Sequence, residues 1–151
     1  MFARVRALAL QVRAAARSAR RSPLLYRAAR RAGAGRWTAL QALQLTGLAL
    51  MLTPMRASGE VGRVNAVRHF CWQAGLAARF GEPLAVSLAD AQEEGAVDPV
   101  DSAVDHRNNA AGRAYGRAHA DELADVGAWF VVPRLIDAGL AEWHAERLAR
   151  A

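Results

Sequence analysis

The stretch NAVRHFCWQAG, residues 65–75, has the spacing of a helix whose polar side chains share one face. Residues that are three, four, seven and eight positions apart lie on the same side of an α-helix. Five residues follow this spacing: Asn65, Arg68, His69, Trp72 and Gln73. An amide, a guanidinium and an imidazole therefore lie in one stripe, beside the most apolar part of the segment. Burial of such groups requires hydrogen-bonding partners.

A second stretch, DHRNNAAGR at residues 105–113, repeats polar residues at the same helical spacing and can supply those partners. Its stripe comprises Asp101, Asp105, Asn108 or Asn109, Gly112 and Arg113. Gly112 and Gly116, four residues apart, leave a smooth strip where another helix can approach closely. The Arg68 guanidinium can pair with a carboxylate such as that of Asp105. We therefore expect the two stripes to face each other inside the protein, with His69 oriented by one neighbour and keeping one ring nitrogen free.

The remaining pattern predicts an all-α fold with about five to seven helices in a single domain. No segment shows the two-residue period of a β-strand. Gly81 is a helix stop, and Asp98 followed by Pro99 is a strong helix start. The predicted helices cover residues 60–80, 83–95, 98–123 and 125–150. The last is expected to be broken or kinked at Pro133 and Gly139, with a core face of Trp129, Phe130, Leu135, Ile136, Leu140 and Trp143.

Charge divides the chain into two regions. Residues 1–59 contain 11 arginines and no acidic residue, whereas residues 60–151 contain nine arginines and 14 acidic residues. All 20 basic residues are arginine, so the chain is arginine-rich. This division predicts a basic, apolar helical N-terminal region at residues 1–57 and an α-helical domain at residues 58–151 that carries the polar motif.

The two polar stretches together resemble an uncharacterised bacterial helical domain, DUF6973, over roughly residues 60–118. The resemblance is carried by Asn65, Ala66, Arg68, His69 and Trp72, by Glu93, and by Asp105, Asn108, Asn109, Gly112 and Arg113. The chain departs from the family pattern at Gln92, where the pattern has the histidine of an HE pair. The resemblance implies a bacterial, all-α domain that occurs alone or within larger secreted or toxin-like proteins, and it implies no particular activity.

Two functions remain open for the clustered polar residues. In the first, the domain is a small hydrolase whose catalytic residues are His69 as general base and Glu93 and Asp105 as the groups that orient it. An anionic or carbonyl-bearing substrate would then be bound by Asn65, Arg68, Asn108, Asn109 and Arg113. In the second, the domain is a non-catalytic interaction or scaffold module whose polar residues set helix register. No motif indicates a cofactor, although Glu93 or Asp105 could help to hold a divalent cation.

The N-terminal region leaves several partners and locations open. Residues 37–55 are uncharged over 19 residues, close to the length of a membrane span. The alternatives are contact of residues 1–36 with an anionic membrane surface, a targeting segment for export, and a helix packed on the domain. Because aromatic interleaving and a recognisable nucleic-acid module are lacking, no specific nucleic-acid partner is expected. The predicted locations are the bacterial cytoplasm and the inner membrane, with export as a third.

Overall fold

The computed structural model describes residues 21–60, 62–94 and 98–150, and this part of the chain is built from helices joined by short turns. The described residues form seven helices and no strand, so the predicted all-α single domain is confirmed. The helices are α1 (residues 21–31), α2 (Arg36–Arg56), α3 (Arg63–Phe80), α4 (Glu82–Glu93), α5 (Pro99–Ala118), α6 (Ala120–Leu123) and α7 (Ala128–His144).

Helix α3 is the centre of the fold. Twelve of its 18 residues are buried, which makes it buried around most of its circumference. Many of these residues are small, including Ala66, Cys71, Ala74 and Gly75, so neighbouring helices approach from several sides. A helix that is buried on nearly every side is typical of a domain core rather than a domain surface.

Helices α3 and α5 run parallel. Hydrogen bonds join Asn65 to Asp105 near the start of both helices and Gln73 to Arg113 further along, and each pair is separated by 40 residues in the chain. Since parallel neighbours cannot be joined by a tight turn, α4 returns the chain along the bundle before α5 begins. The amide of Gln73 also donates to the backbone carbonyl of Ala85 at 3.1 Å, which connects α4 to the same pair of helices.

Two glycines allow α3 and α5 to pack backbone against backbone. A Cβ atom at Gly112 would overlap the carbonyl oxygen of Phe70, and one at Gly116 would overlap that of Ala74. The glycine spacing of four residues matches the spacing of the two carbonyl groups along α3. This contact fixes both the distance and the register of the two helices.

Helices α2 and α7 cover the other side of α3, and both run antiparallel to it. The Trp72 indole donates to the hydroxyl of Thr46 at 2.9 Å, and Gly139 lies against the side chains of Val67 and Phe70. The inner face of α2 is buried and consists of Ala39, Ala42, Leu45, Leu48, Ala49 and Thr53. Within residues 21–60, 62–94 and 98–150, none of the helices combines the length and hydropathy needed to cross a bilayer.

The helix boundaries near the site follow the sequence signals. Gly81 ends α3 with a positive φ of 87°, a conformation that glycine adopts without strain. Asp98 caps α5, because its Oδ1 accepts the backbone N–H of Val100 at 2.8 Å. Helix α5 ends at Ala118 rather than near residue 123, and the short α6 follows it.

The last helix is not broken at Pro133 or Gly139, and two residues of its predicted core face are exposed. Helix α7 is continuous from Ala128 to His144, with Pro133 inside it. The carbonyl group that Pro133 leaves without its helical partner belongs to Trp129, whose side chain is on the exposed side. Phe130 is also exposed and not part of the core. The buried face instead follows Ala128, Val131, Val132, Leu135, Ile136, Gly139 and Trp143.

Substitution of Gly112 tests the backbone contact between α3 and α5. We expect Gly112→Ala to lower the free energy of unfolding by about 3 kcal/mol, because the added methyl group meets a backbone carbonyl that cannot move aside alone. The matched control is Gly47→Ala in α2, where an added Cβ meets nothing within 4 Å. This control should leave stability unchanged or raise it by about 0.5–1 kcal/mol. Equal urea midpoints for the two variants would contradict the prediction.

Candidate functional site

The parallel helices α3 and α5 are joined by a ladder of hydrogen-bonded side chains. Asn65 Nδ2 donates to Asp105 Oδ1 at 2.6 Å, His69 Nδ1 lies 2.9 Å from Asn109 Oδ1, and Arg113 Nη1 donates to Gln73 Oε1 at 2.8 Å. On each helix these residues recur every four positions, which places them in a line along one face. We call the set Asn65, His69, Gln73, Asp105, Asn109 and Arg113 the polar ladder.

His69 and Asp105 meet across the helix interface, as the sequence predicts. His69 Nε2 lies 3.2 Å from Asp105 Oδ2, while Nδ1 contacts Asn109. The His69 side chain is only 6% exposed and that of Asp105 is 17% exposed. Both ring nitrogens are therefore within hydrogen-bond distance of α5, whereas the sequence suggested that one of them would be free.

The donors and acceptors around His69 favour one tautomer. When the Asn109 amide oxygen faces the ring, its Nδ2 is buried and has no partner among the described residues. A half-turn of the amide lets Nδ2 donate to Nδ1 of His69, and the proton on Nε2 is then available to donate to Asp105. We assign this arrangement because it satisfies the imidazole with a neutral ring and gives the Asp105 carboxylate a second donor.

Burial controls the charge state of the pair. Desolvation, reinforced by the nearby Arg68 guanidinium, lowers the pKa of His69 from 6.5 to about 4. The charge of Glu93 opposes this shift. Burial also raises the pKa of Asp105, against the hydrogen bond from Asn65 and the charge of Arg68. The imidazole is consequently neutral at pH 7.

The other predicted site residues divide between the ladder and separate contacts. Arg68 donates to Asn65 Oδ1 and so extends the ladder at the level of Asp105. Glu93 accepts the hydroxyl of Ser102 at 2.8 Å, and its charge still acts on His69. Ser102 was not singled out in the sequence, although it lies one helical turn before Asp105.

Asn108 faces away from His69. Its Nδ2 donates to the carbonyl of Ala149 at 3.1 Å, and its Oδ1 accepts the Ala149 backbone N–H at 2.8 Å. This two-bond clamp ties the C-terminal segment to α5, next to the buried Leu148. The two neighbouring asparagines therefore have different roles. Asn109 belongs to the polar ladder, whereas Asn108 holds the segment around Ala149 against α5.

The far end of the ladder is an arginine cluster beside α4. Arg113, besides its bond to Gln73, has Nε 3.7 Å from Glu82, and Arg117 lies 2.5 Å from the same carboxylate. No three His, Cys, Asp or Glu side chains of the described residues come together in a way that could hold a metal ion.

The fold and the site define a small all-α domain built around a buried His–Asp pair. The chain belongs to the family described as "Domain of unknown function (DUF6973)", whose model matches residues 36–130. The match extends beyond residues 60–118 at both ends and includes all of α2. No curated protein and no solved structure matches the chain.

The lowered pKa of His69 predicts an acid-sensitive fold. The folded state keeps His69 neutral down to about pH 4, whereas the unfolded chain binds a proton near pH 6.5. Stability contributed by His69 should therefore be present above about pH 6.5 and decline by about 3 kcal/mol as the pH falls to about 4.

The control for this pH dependence is His69→Gln, which removes the titrating ring and keeps Asp105. The raised pKa of Asp105 acts in the opposite direction, since protonation of that carboxyl favours the folded state. Urea unfolding from pH 4 to pH 8 should show a smaller loss of stability at low pH for His69→Gln than for the wild type. Identical profiles would show that His69 does not titrate in this way.

Proposed function

We propose that this domain is a non-catalytic helical interaction or scaffold module in which the polar ladder sets the register of α3 and α5. The observation that carries the proposal is the engagement of both His69 ring nitrogens by side chains of α5, at 2.9 and 3.2 Å. A general base needs a ring nitrogen that is free to accept a proton from substrate or water. In this arrangement the ring lone pair is used by Asn109.

The sequence of hydrogen bonds supports a register function. Arg68 donates to Asn65, Asn65 donates to Asp105, and Asp105 also accepts from His69. Sliding α5 by one helical turn would break the three side-chain pairs of the polar ladder and put a larger residue in place of one of the two glycines. Because a buried polar group without a partner costs about 1–3 kcal/mol, such a shifted packing is strongly disfavoured.

Truncation of the ladder distinguishes a structural role from a catalytic one. We expect His69→Ala and Asn109→Ala each to lower the free energy of unfolding by about 2–3 kcal/mol and to weaken the native near-UV circular dichroism. The control is His106→Ala, an exposed neighbour of Asp105 on α5, which should change stability by less than about 0.5 kcal/mol. Ladder variants that are as stable as this control would contradict the proposal.

A small hydrolase is the second candidate, and one observation favours it. Asp105 is partly exposed, has a raised pKa and is hydrogen-bonded to His69, so its carboxyl can exchange protons with a bound molecule. Here His69 and Glu93 would tune Asp105, while the nearby arginines and amides would bind an anionic or carbonyl-bearing substrate. The hydrolase hypothesis also includes a divalent cation held near Asp105 and Glu93.

The variant Asp105→Asn separates the two candidates because it preserves the shape of the side chain and removes its acid–base chemistry. If the domain is a non-catalytic module, the Asp105→Asn variant should retain the cellular phenotype of the intact chain as long as the variant protein is folded. If the domain is a hydrolase, the Asp105→Asn variant should be folded, as measured by circular dichroism and thermal unfolding, but should have the cellular phenotype of a deletion. The control is again His106→Ala, which should retain the phenotype in either case.

Contact with an anionic membrane surface through residues 1–36 is a further part of the proposal. The described residues of this region support it, because Arg27, Arg30 and Arg31 are exposed on α1 and no acidic residue occurs before Glu60. Residues 1–20, with five further arginines, lie outside the described residues. We propose that the module is held at the inner surface of a bacterial membrane or lies in the cytoplasm.

A further inference from the structure

The outer face of α2 is uncharged along its whole length and exposed. Between Arg36 and Arg56, every exposed residue of the helix is apolar or an uncharged polar residue. Trp37 is 80% exposed, Leu40 47%, Met51 50% and Met55 72%. Scattered apolar residues are normal on protein surfaces, but a continuous row of them usually marks an interaction site.

The spacing of this row is that of a helix pair. We define the α2 outer face as Trp37, Leu40, Gln44, Gly47, Met51 and Met55. Successive members are three, four, three, four and four residues apart, which is close to the three-and-four alternation of a coiled-coil seam. The inner face of α2, which packs on α3 and α7, uses different residues. A second helix can therefore contact the outer face without disturbing the core.

We propose that the α2 outer face binds the same face of a second copy of this chain, with the two α2 helices antiparallel. In this arrangement Leu40 faces Met51 of the second copy and Gln44 faces its Gly47, while Trp37 comes close to its Met55. In each of these pairs a bulky side chain packs against a flexible or a small residue. The four central positions, 40, 44, 47 and 51, are symmetric about the midpoint of this row, so both copies present the same contacts, as in a two-fold interface.

Charge complementarity also favours a second copy in the antiparallel orientation. No like charges meet along the uncharged face, although the chain carries a net charge of +6. Arg56 is already paired with Asp137, with N–O distances of 3.0 and 3.1 Å. The antiparallel orientation brings Arg36 close to Arg56 at the C-terminal end of the second copy's α2, where the helix dipole favours a cation and Asp137 offsets the charge of Arg56. This proposal concerns a surface separate from the polar ladder and does not depend on the proposed function.

Cysteine cross-linking of the full chain tests both the contact and its direction. The natural Cys71 is fully buried, and burial raises the pKa of its thiol, so it should not interfere. Under mild oxidation, Leu40→Cys mixed with Met51→Cys should give a disulfide-linked dimer. Leu40→Cys alone should not, because two copies of residue 40 are about 16 Å apart along the helix axes. Val100→Cys, at an exposed apolar position on α5, is the control and should not cross-link.

Solution mass supplies the second measurement. The wild-type chain of 16.2 kDa should have twice that mass by light scattering. The double variant Leu40→Glu/Met51→Glu should be a folded monomer with a dissociation constant raised about 100-fold. A monomeric wild type overturns the proposal, as does self-cross-linking of Leu40→Cys, which would indicate parallel helices.

Two other occupants of this face would also overturn the proposal. A monomeric wild type that sediments with anionic vesicles, and loses this binding in the Leu40→Glu/Met51→Glu variant, would assign the face to a membrane surface. A monomer in which cysteines at positions 40 and 51 resist labelling, unless residues 1–20 are removed, would assign it to that segment of the same chain.

Discussion

The close contact between α3 and α5 is the constraint on which the rest of the structure depends. Gly112 and Gly116 remove the side chains that would separate the helices, so the backbone of α5 rests on the carbonyl groups of Phe70 and Ala74. At this separation, short polar side chains reach across the interface. Asn65 meets Asp105, and His69 meets Asn109, at ordinary hydrogen-bond lengths. The glycines and the polar ladder therefore form one structural unit, in which the glycines set the distance and the ladder sets the register.

The same contact explains why His69 is neutral and fully engaged. Close packing excludes water from the imidazole, and desolvation lowers the pKa of His69 more than the charge of Glu93 raises it. Asp105 lies nearer the surface and retains partial access to solvent. The two members of the pair thus have different environments. This asymmetry places any proton exchange at the carboxyl and leaves the imidazole as a connection between Asp105 and Asn109.

The family match and the packing place α2 together with the helices that carry the polar motif. Its inner face shares the core with α3 and α7, and the matched region begins at residue 36, where α2 begins. The uncharged stretch 37–55 therefore has two faces with different surroundings. The apolar residues that suggested a membrane span are divided between a buried inner side and an exposed outer side. Hydropathy along the sequence does not separate these two cases, because it averages over the circumference of the helix.

The sequence by itself determined the helical class, the start at Asp98 and the stop at Gly81, and the meeting of His69 and Asp105 in one polar interface that also includes Asn108 or Asn109. These features depend on local propensity and on four-residue periodicity, which are written directly in the chain. The tertiary structure alone decided that Asn108 and Asn109 have different partners, since adjacent helical residues point about 100° apart. It likewise decided that Trp129 and Phe130 are exposed and that both nitrogens of His69 are occupied. Those outcomes depend on which helices surround each side chain, and no local pattern contains that information.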